Sequence, residues 1–423
     1  MGAALCCRRP RRVQDESSTV TYAGNRGTQS PAIGRVLVFV NPKSGSGKSL
    51  VTLRDRVEPK LKKNHIDYDV VITSGPNHAK SAIRSRDDLG EYNGIIILSG
   101  DGLVFEVLNG FIERHDATSI IPSLPIGIVP SGSGNGLLSS LFYSRGEPLK
   151  NPKFTERAID VSCSPEAHAQ PVNLIHVQTD REDIASFLSV GWGLMADIDI
   201  ESERWRKLFG SNRFALGGLV RILNLRTYRG RLWYKPYSGS YGEVDVSYDV
   251  YAKTVSERMA YSSSVMNTEK DTVLSHRELS EAWSDMHTER VVDVNEEVPE
   301  DWTRVEDDFI GIYAVALSHI SNEGPFAPQA RMNDDRIYLT YILRNDVSSK
   351  LDLLKFLTSI ESHKHLELPF VKAIEVSAFR LEPQDSGSYL VVDGEIVRSQ
   401  KIQAVTTTLK MAVFAPKRGC IES

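Results

Sequence analysis

An aspartate between glycines, Ser99-Gly100-Asp101-Gly102, follows the apolar run Gly94–Leu98. The glycines let backbone approach a bulky ligand closely, and the carboxylate can project into the space beside it. The chemistry such a group can do is to take the proton of a hydroxyl as that hydroxyl attacks a phosphoryl group. Taken singly, an Asp in a Gly turn is usually a turn former. Two more small-residue turns alter the balance: Asn41-Pro42-Lys43-Ser44-Gly45-Ser46-Gly47-Lys48 and Pro130-Ser131-Gly132-Ser133-Gly134-Asn135-Gly136. The first ends like a Walker A loop, but Pro42 stands where that pattern needs its first glycine, and the dinucleotide pattern G-x-G-x-x-G fails at Leu50. A small-residue turn ahead of a helix still favours an anion, because its N–H groups point outward. Three such turns together point to a polyphosphate, hence a nucleotide. Glu106 falls one turn into the helix expected after Asp101, where an acid also suits the helix dipole.

These turns need a frame that gathers them. Apolar runs at Val36–Val40, Tyr68–Ile72, Gly94–Leu98 and Pro125–Val129 read as buried strands, alternating with helical patterns. Alternation of this kind means βαβ units and a mostly parallel sheet, whose ligands bind outside the carboxyl ends of the strands. All three glycine turns lie at such ends. An α/β nucleotide-binding domain is therefore expected over residues 34–150. Beyond it, short alternating segments such as Val172–Gln178, Val244–Val250, Phe309–Leu317 and Ile402–Phe414 predict a mainly antiparallel, sandwich-like domain over 151–423, with one helix near Ser349–Ile360.

The 423 residues are 41% hydrophobic, 25% charged and 8% aromatic, which excludes collagen-like and wholly disordered chains. No apolar run is long enough to span a membrane, and the N-terminus has no signal-peptide core. Four cysteines make no disulfide framework. An intracellular setting is expected. The net charge of −5 is uneven. Residues 1–33 are basic, with five Arg against Asp15 and Glu16, and read as a basic tail and flexible linker. Residues 256–308 hold 15 acids against 5 bases and are expected to be a disordered insertion. The rest is nearly neutral, which argues against a nucleic-acid partner. The ten His show no metal-ligand spacing, so no protein-held metal is expected. Gly2 follows Met1, and Cys6 and Cys7 adjoin Arg8, Arg9, Arg11 and Arg12. Acylation there, beside basic residues, would hold the chain at a membrane surface, giving a cytoplasmic protein peripherally bound to plasma membrane or endomembranes.

The blocks VNPKSGSGK (40–48), LSGDGLVFEVLNG (98–110), IVPSGSGNGL (128–137), SVGWGLMADIDIESERWR (189–206), RTYRGRL (226–232) and VVDGE (391–395) run in one order over roughly residues 35–415. In these the chain resembles the sphingosine kinases, within the diacylglycerol-kinase-like lipid kinases. The resemblance implies ATP- and Mg²⁺-dependent phosphorylation of the primary hydroxyl of a sphingoid base, with Asp101 as catalytic base. It implies nucleotide contacts from Asn41, Pro42 and Lys43, from Thr73, Ser74, Gly75, Pro76 and Asn77, and from Ser99, Gly100 and Glu106. Gly132, Ser133 and Gly134 would follow, with Arg206 and Arg213 as phosphate clamps and Asp393, Gly394 and Glu395 as a late turn returning to the nucleotide. Asp199 would bind the lipid amine, with Ser189 nearby. A protonated amine entering an apolar tunnel needs a fixed counter-charge. Diacylglycerol and ceramide carry no such cation, so Asp199 separates the leading reading from a kinase for a neutral lipid. Its bland alternative is a surface charge in the run Asp197, Asp199, Glu201, Glu203.

Overall fold

The computed structural model describes residues 13–14, 20–23, 32–45, 47–132, 134–205, 213–239, 247–262 and 276–417. Strands β1 (Val13–Gln14) and β2 (Val20–Ala23) precede β3 (Gly34–Val40), β4 (Ile66–Ile72), β5 (Gly94–Ser99) and β6 (Ile126–Pro130). Strands β4, β3, β5 and β6 lie side by side and parallel, with Val38 opposite both Val70 and Ile96, and Ile97 opposite Ile128. Val36 through Val40 are fully buried, as strands covered on both faces must be. The expected linker over 13–33 contributes strands at the sheet's edge instead: β2 pairs antiparallel with β4, Thr21 opposite Val71, and β1 pairs with β2. Its sequence, Val-Thr-Tyr-Ala, is rich in strand-favouring residues.

The first helix is irregular. It begins at Ser49, passes through a wide turn at Leu53–Val57 and ends at Lys63. Leu53, Val57 and Leu61 face inward while Leu50 stays exposed. Ser49 makes no cap; its hydroxyl donates to the Asn41 carbonyl at 2.6 Å and ties the helix to the preceding turn.

The second half adds β7 (His168–Thr179), β8 (Asp183–Ser186), β9 (Ser189–Gly193), β10 (Tyr228–Pro236), β11 (Tyr248–Asp249), β12 (Thr303–Val315), β13 (Ile337–Leu343), β14 (Val371–Pro383), β15 (Leu390–Val392), β16 (Glu395–Val397) and β17 (Ile402–Ala415). Pairing here is antiparallel. The long β12 and β14 each pair with both β10 and β13, which links these four strands into a ring. Of the strand expected over Val244–Val250, residues 244–246 lie outside the described residues, and Tyr248–Asp249 forms β11.

Packing on the first sheet continues past the boundary expected at residue 150. Helix Lys153–Ser162 packs on β6, its Ser162 hydroxyl donating to the Ile128 carbonyl. Strand β17 runs along β7 and meets β6 in parallel at Val413–Ile126. The acidic segment is likewise not a disordered loop over its described length. Helices Val255–Ser262 and His276–Met286 form there, and Trp283, Val294 and Trp302 are buried. These widely spaced apolar anchors dock the segment on β7 and β17 while its acids stay outside. Trp283 stacks on His176 at 4.5 Å, and Gln403 and Arg380 donate to the carbonyls of Val292, Asp293 and Glu296.

Candidate active site

The three glycine turns interlock at the ends of β3, β5 and β6. The Asn41 N–H donates to the Leu98 carbonyl, and the Ser131 N–H to that of Ser99. The Ser99 hydroxyl bonds that of Ser44 at 3.2 Å. Asn41 also accepts the Lys43 N–H at its side chain, which fixes Pro42 and Lys43 in the turn. Gly45 has φ +53, and a Cβ there would stand 1.8 Å from the Ser131 carbonyl oxygen. No other residue fits that crossing. Gly132 packs on Gly100 in the same way, its Cβ position 3.2 Å from the Gly100 nitrogen. Ser133 lies outside the described residues.

The segment Thr73–Asn77 joins this group from the end of β4. The Thr73 N–H donates to the Val40 carbonyl and the Ser74 N–H to His78 Nδ1. Asn77 is left-handed at φ +61, and the space beside Gly75 is open. Pro76 between them is exposed. Glu106 fastens the segment, accepting the Ala79 N–H at 3.1 Å at the start of helix His78–Ser85. Burial pushes the Glu106 carboxyl up; N–H groups of Asn77, Ala79 and Lys80 pull it down, and nearby Glu395 pushes it up again.

Asp101 opens helix Asp101–Ile112 but serves another helix. Its carboxylate accepts the Gly136 N–H at 2.6 Å and the Leu137 N–H at 3.4 Å, at the start of helix Gly136–Ser144. Its own N–H donates to the Gly134 carbonyl at 3.2 Å. It is only 7% exposed. Burial pushes it up to about 7, against the two N–H donors and with help from Asp393. A carboxyl so placed can accept a proton near neutral pH.

Across from it, Asp393 (φ +50) makes the turn between β15 and β16. Its buried carboxylate takes the Ser186 hydroxyl at 2.7 Å and the N–H groups of Phe187, Leu188 and Ser189 at 3.0, 3.0 and 2.8 Å. Burial outweighs those donors and raises it to about 6. Asp393 thus anchors its turn to Ser189, whose carbonyl also accepts the Asp393 N–H. The turn's next residues reach the site: Gly394 lies 3.6 Å from Asp199 Oδ2 at its Cβ position, and Glu395 Oε1 lies 3.3 Å from that of Gly102.

Asp199 sits on helix Leu194–Ser202, which leaves β9 through Gly193 at φ +82. One-third of its side chain is exposed (33%). Arg213, expected among phosphate ligands, is buried beside it. Its guanidinium lies 3.6 Å from Asp199 Oδ1 and donates to the Asp199 carbonyl, the Ser202 hydroxyl and Glu203. Arg206 lies outside the described residues, as do Gly2, Cys6 and Cys7. Among the described residues no three His, Cys, Asp or Glu side chains converge on a cation.

One residue at this junction had no sequence cue. Tyr313, on β12 directly opposite Gly191, places its hydroxyl 3.2 Å from Ser189 Oγ. Burial and the charges of Asp199, Asp393 and Asp101 keep that phenol protonated. Alternation along β12 marks Tyr313 as one face of a strand, but only pairing with β9 reveals which face. Beyond it, Leu194, Ile198, Ile310, Val315, Phe326 and Phe356 form an apolar cluster separate from the main core.

Residues 35–170 match the family described as Diacylglycerol kinase catalytic domain. The chain is 46% identical over 394 residues to sphingosine kinase 1 of Caenorhabditis elegans, covering 92% of this chain and 82% of that protein. It is 34% identical over 393 residues to human sphingosine kinase 1, covering 92% of both. A solved structure from Bacillus anthracis str. Sterne, assigned to the diacylglycerol kinases, superposes with a TM-score of 0.56 at 16% identity, covering 90% of this chain and 97% of the other. That last likeness concerns the fold.

Proposed function

The chain belongs to the sphingosine kinases, and from that membership we infer its reaction: it transfers the γ-phosphoryl group of ATP to the primary hydroxyl of sphingosine, giving sphingosine 1-phosphate. The observation that carries the site assignment is the placing of two carboxylates, one buried and one partly open, about one turn. Asp101 is buried and poised near neutrality, while Asp199, reached through Gly394 of the same turn that holds Asp393, is partly open.

In this reading the three interlocked turns present N–H groups to the ATP phosphates, with Thr73–Asn77 at the nucleotide's flank and Arg206 and Arg213 adding positive charge. Asp101 orients the lipid hydroxyl and accepts its proton as the new P–O bond forms. Asp199 holds the ammonium, whose burial without a counter-charge would be costly. The hydrocarbon chain lies along the apolar cluster of Leu194, Ile198, Phe326 and their neighbours. Mg²⁺ suits this donor set as an ion that arrives with phosphates and needs one or two carboxylates rather than a protein cage. Glu395, beside Gly102, is the carboxylate placed to contribute; the ion would neutralise charge on the transferring group.

The substrate is a membrane lipid, and two helices packed on the cluster carry apolar side chains outward. Leu219 and Leu223 on helix Arg213–Leu223 and Leu351 and Leu354 on helix Lys350–Ser359 are all exposed. These helices touch, Gly218 lying against Leu357. Together with acylation at Gly2, Cys6 or Cys7, this surface would hold the enzyme peripherally on the bilayer.

Transfer of labelled phosphate from ATP to sphingosine, ceramide and diacylglycerol, assayed side by side with Asp101→Asn as control, tests the reaction. Transfer confined to sphingosine and lost in the variant is expected. Transfer to a neutral lipid instead would overturn the substrate assignment.

A further inference from the structure

Tyr313 stands where the catalytic carboxylates meet the apolar cluster. Antiparallel pairing sets it opposite Gly191 and sets Val315 opposite Ser189, so Ser189, Gly191 and Tyr313 share one face of the sheet. Gly191 makes room for the ring: a Cβ there would lie 2.8 Å from Tyr313 Cε2. The ring's far side meets Phe326 edge-on, with centroids 5.2 Å apart. The phenol is thus wedged at one position, with its hydroxyl donating to Ser189 Oγ at 3.2 Å. The helix bearing Asp199 covers this same face, since Ala196 Cβ lies 3.8 Å from the Gly191 Cβ position.

We propose that Tyr313 is a specificity-determining substrate residue, and that its hydroxyl, paired with Ser189, binds the secondary hydroxyl next to the amine of the sphingoid base. The inference rests on the reading of Asp199 as the ammonium's partner and deepens it. A 2-amino-1,3-diol presents three polar groups on adjacent carbons. The primary hydroxyl goes to Asp101 and the cation to Asp199. The third group is a neutral hydroxyl on the side of the hydrocarbon chain, and it needs neutral partners that both donate and accept. A protonated phenol beside a serine hydroxyl provides them, at the boundary where the polar head gives way to Phe326 and the apolar cluster. Sites built to bond a hydroxyl reject analogues that lack it, because the site's own polar atoms are then left unpaired.

The test compares the wild type with Tyr313→Phe, which keeps the ring and its packing, on sphingosine and on its 3-deoxy analogue. The expected result is a KM for sphingosine raised about 10-fold in Tyr313→Phe, with kcat and the KM for ATP unchanged and the analogue handled alike by both enzymes. The wild type should also prefer sphingosine to the analogue, and Tyr313→Phe should lose that preference. An equal change on both lipids, or none on either, overturns the proposal. Thermal melting of the variant separates a folding defect from a binding one. A wild type that transfers no phosphate to either lipid would instead overturn the underlying reaction.

Discussion

The carboxylate of Asp101 rests on the backbone N–H of Gly136, 2.6 Å away, so the acid carried by the turn after β5 is seated on the helix that leaves the turn after β6. The two turns cannot shift independently. A fixed acid at a helix start is ordinarily held ionised by the dipole. Here burial prevails and leaves it near neutrality.

That balance predicts opposite effects of Asp101→Asn on activity and stability. Turnover should fall by about 10²–10⁴, and the wild-type rate should rise with pH through about 7 as Asp101 ionises. A carboxyl whose folded pKa lies above its unfolded value binds its proton more tightly in the fold. Its contribution is therefore complete below the unfolded pKa near 3.8 and is lost as pH rises through about 7. Asp101→Asn should remove that slope, so its melting temperature should match or exceed the wild type's at pH 8. Melts at pH 5 and pH 8 check this, and a variant less stable only at pH 8 contradicts it.

Asp199→Ala should act on lipid affinity. Removing the partner of a desolvated ammonium costs about 3 kcal/mol, or roughly 100-fold, so the KM for sphingosine should rise by that order with the KM for ATP unchanged. Steady-state kinetics with each substrate varied in turn will show which constant moves. A change confined to ATP would place Asp199 on the nucleotide side.

The two arginines should separate. Arg206→Ala is expected to lower kcat by about 10³, the scale of a lost phosphate-clamping arginine, with lipid binding intact. Arg213 touches Asp199, Ser202 and Glu203, so Arg213→Ala should also weaken sphingosine binding. Arg213→Lys restores charge without the planar fork and should recover only part of either loss. Equilibrium lipid binding without nucleotide distinguishes the two residues.

Acid should loosen the acidic segment first. His176 bonds Asp183 through Nε2 and His287 through Nδ1, both at 2.8 Å. Burial lowers His176, and burial first with His176 second lowers His287 to about 3. Groups held neutral in the fold stabilise it above their unfolded pKa near 6.5 and lose that contribution as pH falls toward about 3. Limited proteolysis within residues 276–302 should therefore quicken between pH 6.5 and pH 4. Trp283→Ala, which removes the ring stacked on His176, should cost about 3–5 kcal/mol and expose the segment at neutral pH. Equal protease resistance at both pH values would count against the His pair as its fastener.

How far the sequence alone carries this molecule depends on the range of the interactions. The turns bearing Gly45, Asp101 and Gly132 are legible because close backbone crossings demand glycine locally, and the parallel strands because full burial leaves unbroken apolar runs. Asp199 is legible only through its block's likeness to a family; its charge alone reads as one of four acids on a surface. Asp393 reads as a ligand turn, but its carboxylate is taken up by Ser186, Phe187, Leu188 and Ser189, about two hundred residues away in the chain. Tyr313 depends on a register across β9 and β12. The acidic segment hides its anchors, since Trp283, Val294 and Trp302 are too far apart to give a period.

Strand β17 is the last in chain order among the described residues, yet it lies against β6, β7 and β14 at once. On a ribosome the chain emerges from its amino end, so β3 through β6 and their glycine turns are exposed well before residues 402–415 are made. The edge of β6 at Ile126 stays open through that interval, as does the flank of β7. The three glycine turns and Asp101 have then left the ribosome, but the sheet that aligns the two halves has not closed. Competence is therefore a late event in the life of each molecule, reached only when residues 402–415 are laid in.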